Sequence, residues 1–168
     1  EIWAGVSAWV PISVLNAWYE ESRRLGTKYV NHIQASCGGR PTGDTPAARE
    51  CRKRSPVAYF ERARAVPIDI NHGIRDGRNN ADPVPISQSL RAFNLLADPR
   101  DHFTEEEIED FTRHQVPSSL LSQTTDPDYG GLKILYRRQS GNTRITVFDG
   151  AHDKNTEAAF RWLNKQRR

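Results

Sequence analysis

The sequence predicts an α/β protein with three layers, in which helices cover both faces of a mainly parallel sheet. Strand patterns alternate with helical patterns along the chain, in the order strand, helices, strand, helix, strand, helix. The 168 residues suffice for one domain with a core. With 36% hydrophobic and 27% charged residues, the composition is that of a globular chain. We therefore predict a single domain over 1–168.

The N-terminal part is predicted to be a strand followed by a helical insertion. Residues 2–10 are apolar on both alternating faces, as in a buried parallel strand, so we place this strand inside the sheet. Helical spacing follows from Val14 to Leu25, and Gly26 ends that helix. Residues 13–65 are thus expected to form a helical, cap-like insertion.

The remaining elements are predicted from strand composition, turns and caps. Residues 66–71 have strand character, 72–83 form a polar loop, and a helix begins near Ile86. Residues 104–107 form a capping box that opens a short acidic helix, within an irregular surface insertion over 98–131. Two strands joined by a turn at 140–143, and a last helix at 156–163, complete the chain.

Several classes of function are disfavoured by the sequence. The net charge of +3 is spread along the chain without an aromatic-interleaved basic stripe, so we expect no nucleic-acid partner. No apolar run reaches the ~18 residues that a membrane span needs. The five histidines show no metal-ligand spacing, and we expect neither metal nor cofactor. Methionine is absent, which predicts a processed or trimmed start with residues missing upstream.

The two cysteines leave two alternatives open. A bridge between Cys37 and Cys51 would close a loop of about 15 residues and contribute roughly 3 kcal/mol in the chain-entropy model. Two free thiols are the other alternative. The sequence does not fix the compartment, although a secreted or periplasmic location is favoured over others.

The candidate chemistry lies at the ends of two predicted strands. The strand at 66–71 runs into a loop with Asp76, and the strand at 145–148 runs into a loop with His152. Carboxyl ends of parallel strands meet at one rim of a sheet, where α/β proteins place working side chains. A carboxylate that touches an imidazole fixes its tautomer and stabilises its charged form. We therefore expect Asp76 and His152 to meet.

Two motifs resemble the C-terminal part of an α/β-hydrolase. The first is Asp76 with Val84-Pro85-Ile86-Ser87-Gln88-Ser89-Leu90, and the second is Phe148-Asp149-Gly150-Ala151-His152. The match is best with serine hydrolases of the prolyl-oligopeptidase and esterase type. The resemblance implies that Asp76 is the triad acid and His152 the general base. The loop is longer than in the family, which makes Asp82 the second-choice acid, and Ala151 stands where the family often has glycine.

The nucleophile that the resemblance requires is absent from this sequence. In such hydrolases a serine on a Gly-x-Ser-x-Gly turn precedes the acid, and this chain has no such turn. Residues 3–7 resemble the strand that follows the nucleophile helix in the family, so we expect Ser7 to be a strand residue. Trp9, Val10 and Ile12, at the end of that strand, are expected to wall the substrate pocket.

Two hypotheses follow. In the first, the chain is the acid-and-base half of a serine hydrolase that cleaves ester or peptide bonds, and its partner is an N-terminal half carrying the nucleophile. Alone, the chain would be inactive. In the second, it is a non-catalytic, hydrolase-like module that binds a partner through an exposed sheet edge.

Overall fold

The computed structural model describes residues 4–78, 83–120 and 126–166. The elements in chain order are β1 Val6–Trp9, α1 Leu15–Arg24, α2 Tyr29–Cys37, α3 Pro46–Arg54, α4 Phe60–Ala63, β2 Ile68–Gly73, α5 Ser87–Leu96, α6 Glu105–Thr112, β3 Ile134–Ser140, β4 Thr143–Phe148 and α7 Thr156–Asn164. Short 3₁₀ turns precede α4, α6 and β3. None of the helices in these ranges is long and apolar enough to cross a bilayer.

The four strands form one mixed sheet in the order β1-β2-β4-β3. β1, β2 and β4 are parallel, and β3 pairs antiparallel with β4. The predicted α/β class with a mainly parallel sheet is therefore confirmed. Among the described residues β1 has a strand neighbour on one side only and is an edge strand, so its place inside a larger sheet stays a prediction. Val6 on that strand is 41% exposed.

One face of the sheet is apolar and carries the main core. In parallel strands, residues in register share a face, so Ile70 of β2 lies beside Ile145 of β4. Helix α5 packs on this face with Leu90 and Phe93, neither of which is exposed to solvent. Segment 98–131, which we expected to be an irregular surface insertion, adds Phe103, Ile108 and Phe111 to the same cluster. The capping box of α6 at Thr104 and Glu107 forms as predicted.

The opposite face of the sheet is polar. Asp69 on β2 is 1% exposed, accepts a hydrogen bond from Arg144 Nε on β4 at 2.7 Å, and accepts one from Ser7 Oγ on β1 at 3.1 Å. The Arg144 guanidinium lies over the indole ring of Trp162 on α7, and its Cζ is 5.8 Å from the centroid of that ring. Ser7 is thus a strand residue that belongs to this polar layer.

The helices of segment 13–65 have a small core of their own. It consists of Trp18, Tyr19, Ile33, Cys37, Ala47 and Cys51. Cys37 and Cys51 form a disulfide, which decides between the two alternatives that the sequence left open. Helix α3 begins at Pro46, and the Thr45 side chain caps it by accepting from the Ala48 N–H at 3.1 Å. The Trp18 indole donates to the Pro83 carbonyl at 3.3 Å, which joins this unit to the loop after β2.

Candidate functional site

The loops after β2 and β4 stay joined beyond the ends of their strands. The last register pair of the two strands is Gly73 with Phe148. The Ile74 N–H then donates to the Phe148 carbonyl at 3.0 Å, and the Arg75 N–H donates to the Gly150 carbonyl at 2.9 Å. The two loops therefore run side by side at the carboxyl rim of the sheet.

Gly73 allows the loop after β4 to lie directly on the end of β2. A Cβ at this position would overlap the Ala151 carbonyl oxygen and would lie 2.7 Å from the Gly150 carbonyl carbon. Those atoms are backbone, so they cannot turn away as a flexible side chain does. The absence of a side chain at Gly73 thus sets how close the His152 loop comes to the Asp76 loop.

At this rim Asp76 and His152 are hydrogen-bonded. His152 Nδ1 lies 2.8 Å from Asp76 Oδ2. An ionised carboxylate only accepts, so the Nδ1–H donates, and Nε2 is the basic nitrogen of the neutral ring. The Asp76 side chain is fully buried, whereas the His152 side chain is 42% exposed. The arrangement is a base with access to solvent, oriented by a buried acid.

The other Asp76 oxygen is held by backbone groups. Oδ1 accepts from the Gly77 N–H at 2.7 Å and from the Val84 N–H at 2.9 Å. Burial raises the pKa of the Asp76 carboxyl above its ordinary value, although the hydrogen bonds from His152, Val84 and Gly77 act in the opposite direction. Every one of these donors favours the ionised form, which is the form that His152 needs beside it.

A second histidine, His72, lies behind Asp76, and the sequence did not predict its role. We expected His72 to begin a polar loop, but β2 extends to Gly73 and His72 is a fully buried strand residue. Its Nδ1 lies 2.7 Å from Ser89 Oγ and its Nε2 lies 3.1 Å from the Val84 carbonyl oxygen. Burial lowers the pKa of His72 to about 3, so the ring is neutral. The signal in the sequence was a histidine directly before the strand-end glycine.

The residues expected to wall a substrate pocket lie at the end of β1 and just after it. Trp9 packs against Tyr129 and Phe148, with ring centroids 5.7 and 5.6 Å away. Val10 is 8% exposed and has a φ of 49°, which is rare for a β-branched residue. Ile12 lines an apolar groove on the sheet. The role of all three residues in binding substrate stays a prediction. Asp82, the second-choice acid, lies outside the described residues.

Two cavities are lined by residues that we predicted to belong to the cap or to the substrate pocket. One, of about 270 Å³, lies beside Asp76 and Gly77 and is also lined by the charged side chains Glu21 and Arg24 of α1. The other is the groove of about 380 Å³ that contains Ile12, and its lining is almost entirely apolar. The helical unit thus borders the acid loop, and its role as a cap stays a prediction.

Within the described ranges, no group of three or more His, Cys, Asp or Glu side chains could hold a metal ion. No protein-family model, curated protein or solved structure matches this chain.

Proposed function

We propose that this chain supplies the acid and the base of a serine hydrolase that cleaves ester or peptide bonds, as the C-terminal half of a three-layer α/β-hydrolase fold. The observation that carries the proposal is the hydrogen bond between His152 Nδ1 and the buried Asp76 carboxylate. The order of acid before histidine, each after a parallel strand, agrees with that class of enzyme.

In this proposal His152 moves the proton and Asp76 orients the His152 ring. His152 Nε2 takes the proton of a serine hydroxyl as the hydroxyl attacks the carbonyl carbon of the substrate, and then gives that proton to the leaving alcohol or amine. Asp76 holds the ring in the Nδ1–H tautomer and stabilises the imidazolium that forms. The serine and the oxyanion hole belong to a nucleophile-bearing segment outside this sequence.

The edge of the sheet at β1 supports a partner of this kind. An edge strand presents unpaired N–H and C=O groups that another strand can bind. β1 carries the exposed Val6 and borders the apolar groove next to the sheet. We propose that the nucleophile-bearing half pairs along β1, so that the strand lies inside a larger sheet.

Fluorophosphonate labelling of the natural full-length protein tests the proposal, because this probe reacts readily with an activated serine hydroxyl. We expect wild-type protein to be labelled, and the His152→Ala variant to be labelled about 10³- to 10⁴-fold more slowly. The matched control is His32→Ala, which removes an exposed histidine on α2. A wild-type protein that is not labelled, or a His152→Ala variant that is labelled at the wild-type rate, would contradict the proposal.

The second candidate is a non-catalytic module that binds through the sheet edge, and the exposed apolar edge at β1 favours it. This alternative predicts that the 168-residue chain is folded and monomeric by itself in sedimentation experiments. It also predicts that the full-length protein is not labelled. Labelling at a serine outside this sequence would exclude it.

A further inference from the structure

His72 lies behind the acid and has a hydrogen-bond partner at each ring nitrogen. A backbone carbonyl only accepts, so the Nε2–H donates to the Val84 carbonyl. The neutral ring then has no proton on Nδ1, and this nitrogen accepts from the Ser89 hydroxyl. Ser89 at the start of α5 is itself fully buried. The Val84 carbonyl therefore selects the Nε2–H tautomer of His72, and the Ser89 hydroxyl completes it by donating to Nδ1.

Val84 links His72 to the acid. Its carbonyl accepts from His72, while its N–H donates to Asp76 Oδ1 at 2.9 Å. Pro83 and Pro85 flank it and have no N–H, so Val84 provides the only backbone donor of this three-residue segment. A residue before proline is also restricted to extended conformations. The segment is therefore stiff, and fixing the Val84 carbonyl also fixes the direction of its N–H.

We propose that His72 is a positioning residue for the Asp76–His152 pair, and that Ser89 holds the His72 ring in the orientation in which it acts. By holding Val84, His72 keeps Oδ1 of Asp76 occupied and leaves Oδ2 directed at His152. The ring is also close to that oxygen, with Nε2 4.0 Å from Asp76 Oδ2. The catalytic consequence of this arrangement rests on the proposed function, whereas the geometric consequence does not.

Two substitutions separate positioning from simple filling of the core. His72→Gln keeps an N–H donor near the Nε2 position, and His72→Leu fills a similar volume without any donor. A side chain that only fills space would be replaced better by leucine. A positioning residue would be replaced better by glutamine. Ser89→Ala removes only the hydroxyl that donates to His72 Nδ1, and it serves as the milder variant should both His72 variants fail to fold.

The geometric arm uses side-chain ¹⁵N NMR of the 168-residue chain and needs no activity. We expect the ¹⁵N shifts of wild-type His72 to be those of the Nε2–H tautomer. We expect the His152 shifts, which report its Nδ1–H bond to Asp76, to change in His72→Leu and to stay near wild type in His72→Gln. In Ser89→Ala the Nδ1 of His72 loses its donor, so we expect the ¹⁵N shift of that nitrogen to change and the His152 shifts to move with it.

The catalytic arm measures hydrolysis by the natural full-length protein. We expect His72→Leu to lower kcat up to about 100-fold with KM unchanged, because misplacing a catalytic group has an effect of that size. Glutamine at the same position restores most of kcat. The matched control is His102→Gln, which makes the same substitution at an exposed histidine between α5 and α6.

The two arms fail separately. A wild-type protein without activity contradicts the proposed function, and the NMR arm still decides the role of His72. Unchanged His152 shifts in His72→Leu, or in Ser89→Ala where the leucine variant does not fold, would overturn the positioning role. So would a leucine variant that performs better than the glutamine variant.

Discussion

The contact between His152 and Asp76 depends on a residue without a side chain. Gly73 ends β2 at the point where the Ala151 carbonyl oxygen crosses it, and there is no room for a methyl group between them. Directly after Gly73, the N–H groups of Ile74 and Arg75 donate to the carbonyls of Phe148 and Gly150. A single close approach of backbone to backbone thus decides whether the base reaches the acid.

We predict that Gly73→Ala loses about 1–3 kcal/mol of unfolding free energy, because the added methyl group overpacks a backbone contact. It should also shift the side-chain ¹⁵N signals of His152, because the loop at 150–152 must move away from Asp76. Urea unfolding and NMR measure the two effects.

The matched control is Gly131→Ala, where an added Cβ meets no atom within 4 Å. It should change the unfolding free energy by less than about 0.5 kcal/mol. If Gly73→Ala were as stable as this control, the role that we assign to Gly73 would be wrong.

At the level of elements, the helices of segment 13–65 depend on a covalent link. Their small core contains few large side chains, and the disulfide joins the end of α2 to the middle of α3. Small units of this kind commonly use a disulfide to compensate for a limited core. The position of α1 beside the acid loop therefore depends partly on the Cys37–Cys51 bridge.

We predict that reduction of the disulfide destabilises the helical unit by roughly 3 kcal/mol, the value that the chain-entropy model gives for a loop of about 15 residues. Denaturant unfolding with and without a thiol reductant measures this loss. In a Cys37→Ala, Cys51→Ala double variant the reductant should have no effect. An unchanged unfolding midpoint of the wild type under reducing conditions would contradict the prediction.

At the level of the whole molecule, the sheet formed by the described residues has two chemically different faces and an edge strand at each end, β1 and β3. The apolar face holds the core and His72, and the other face holds the Asp69–Arg144 pair. Burying a neutral histidine in that core makes the stability of the protein depend on pH. The unfolded state binds a proton near pH 6.5, whereas folded His72 does not until about pH 3.

We predict that the contribution of His72 to stability is fully present above pH 6.5 and is lost as the pH falls towards 3. The slope inside that window is about 1.4 kcal/mol per pH unit. Asp76 acts in the opposite direction: its folded pKa is raised, so its contribution is present below its ordinary pKa of 3.8 and is lost as the pH rises through the folded value.

Denaturation from pH 3 to 8 gives the unfolding free energies of wild type and of His72→Gln. Because both proteins contain Asp76, its contribution cancels in the difference between the two free energies. This difference should fall with falling pH. A constant difference across the window would show that His72 has the same pKa in the folded and the unfolded protein, and would contradict the prediction.

The sequence by itself determined the α/β class, the elements that border the site and the two loops that carry Asp76 and His152. It did so because strand alternation, helix spacing and caps such as the one at Thr104 depend on residues only a few positions apart. Our reading placed the first strand inside the sheet, and its apolar composition is equally compatible with the edge position that the structure shows.

Only the tertiary structure decided the edge position of β1, the pairing of Cys37 with Cys51, and the partners of His72. Each of these depends on groups that lie far apart in the chain, as His152 and Asp76 do at a separation of 76 residues. A local pattern shows that a side chain is polar and follows a strand. Which atoms satisfy its hydrogen bonds is settled when distant segments pack together, because a buried polar group must find its partner there.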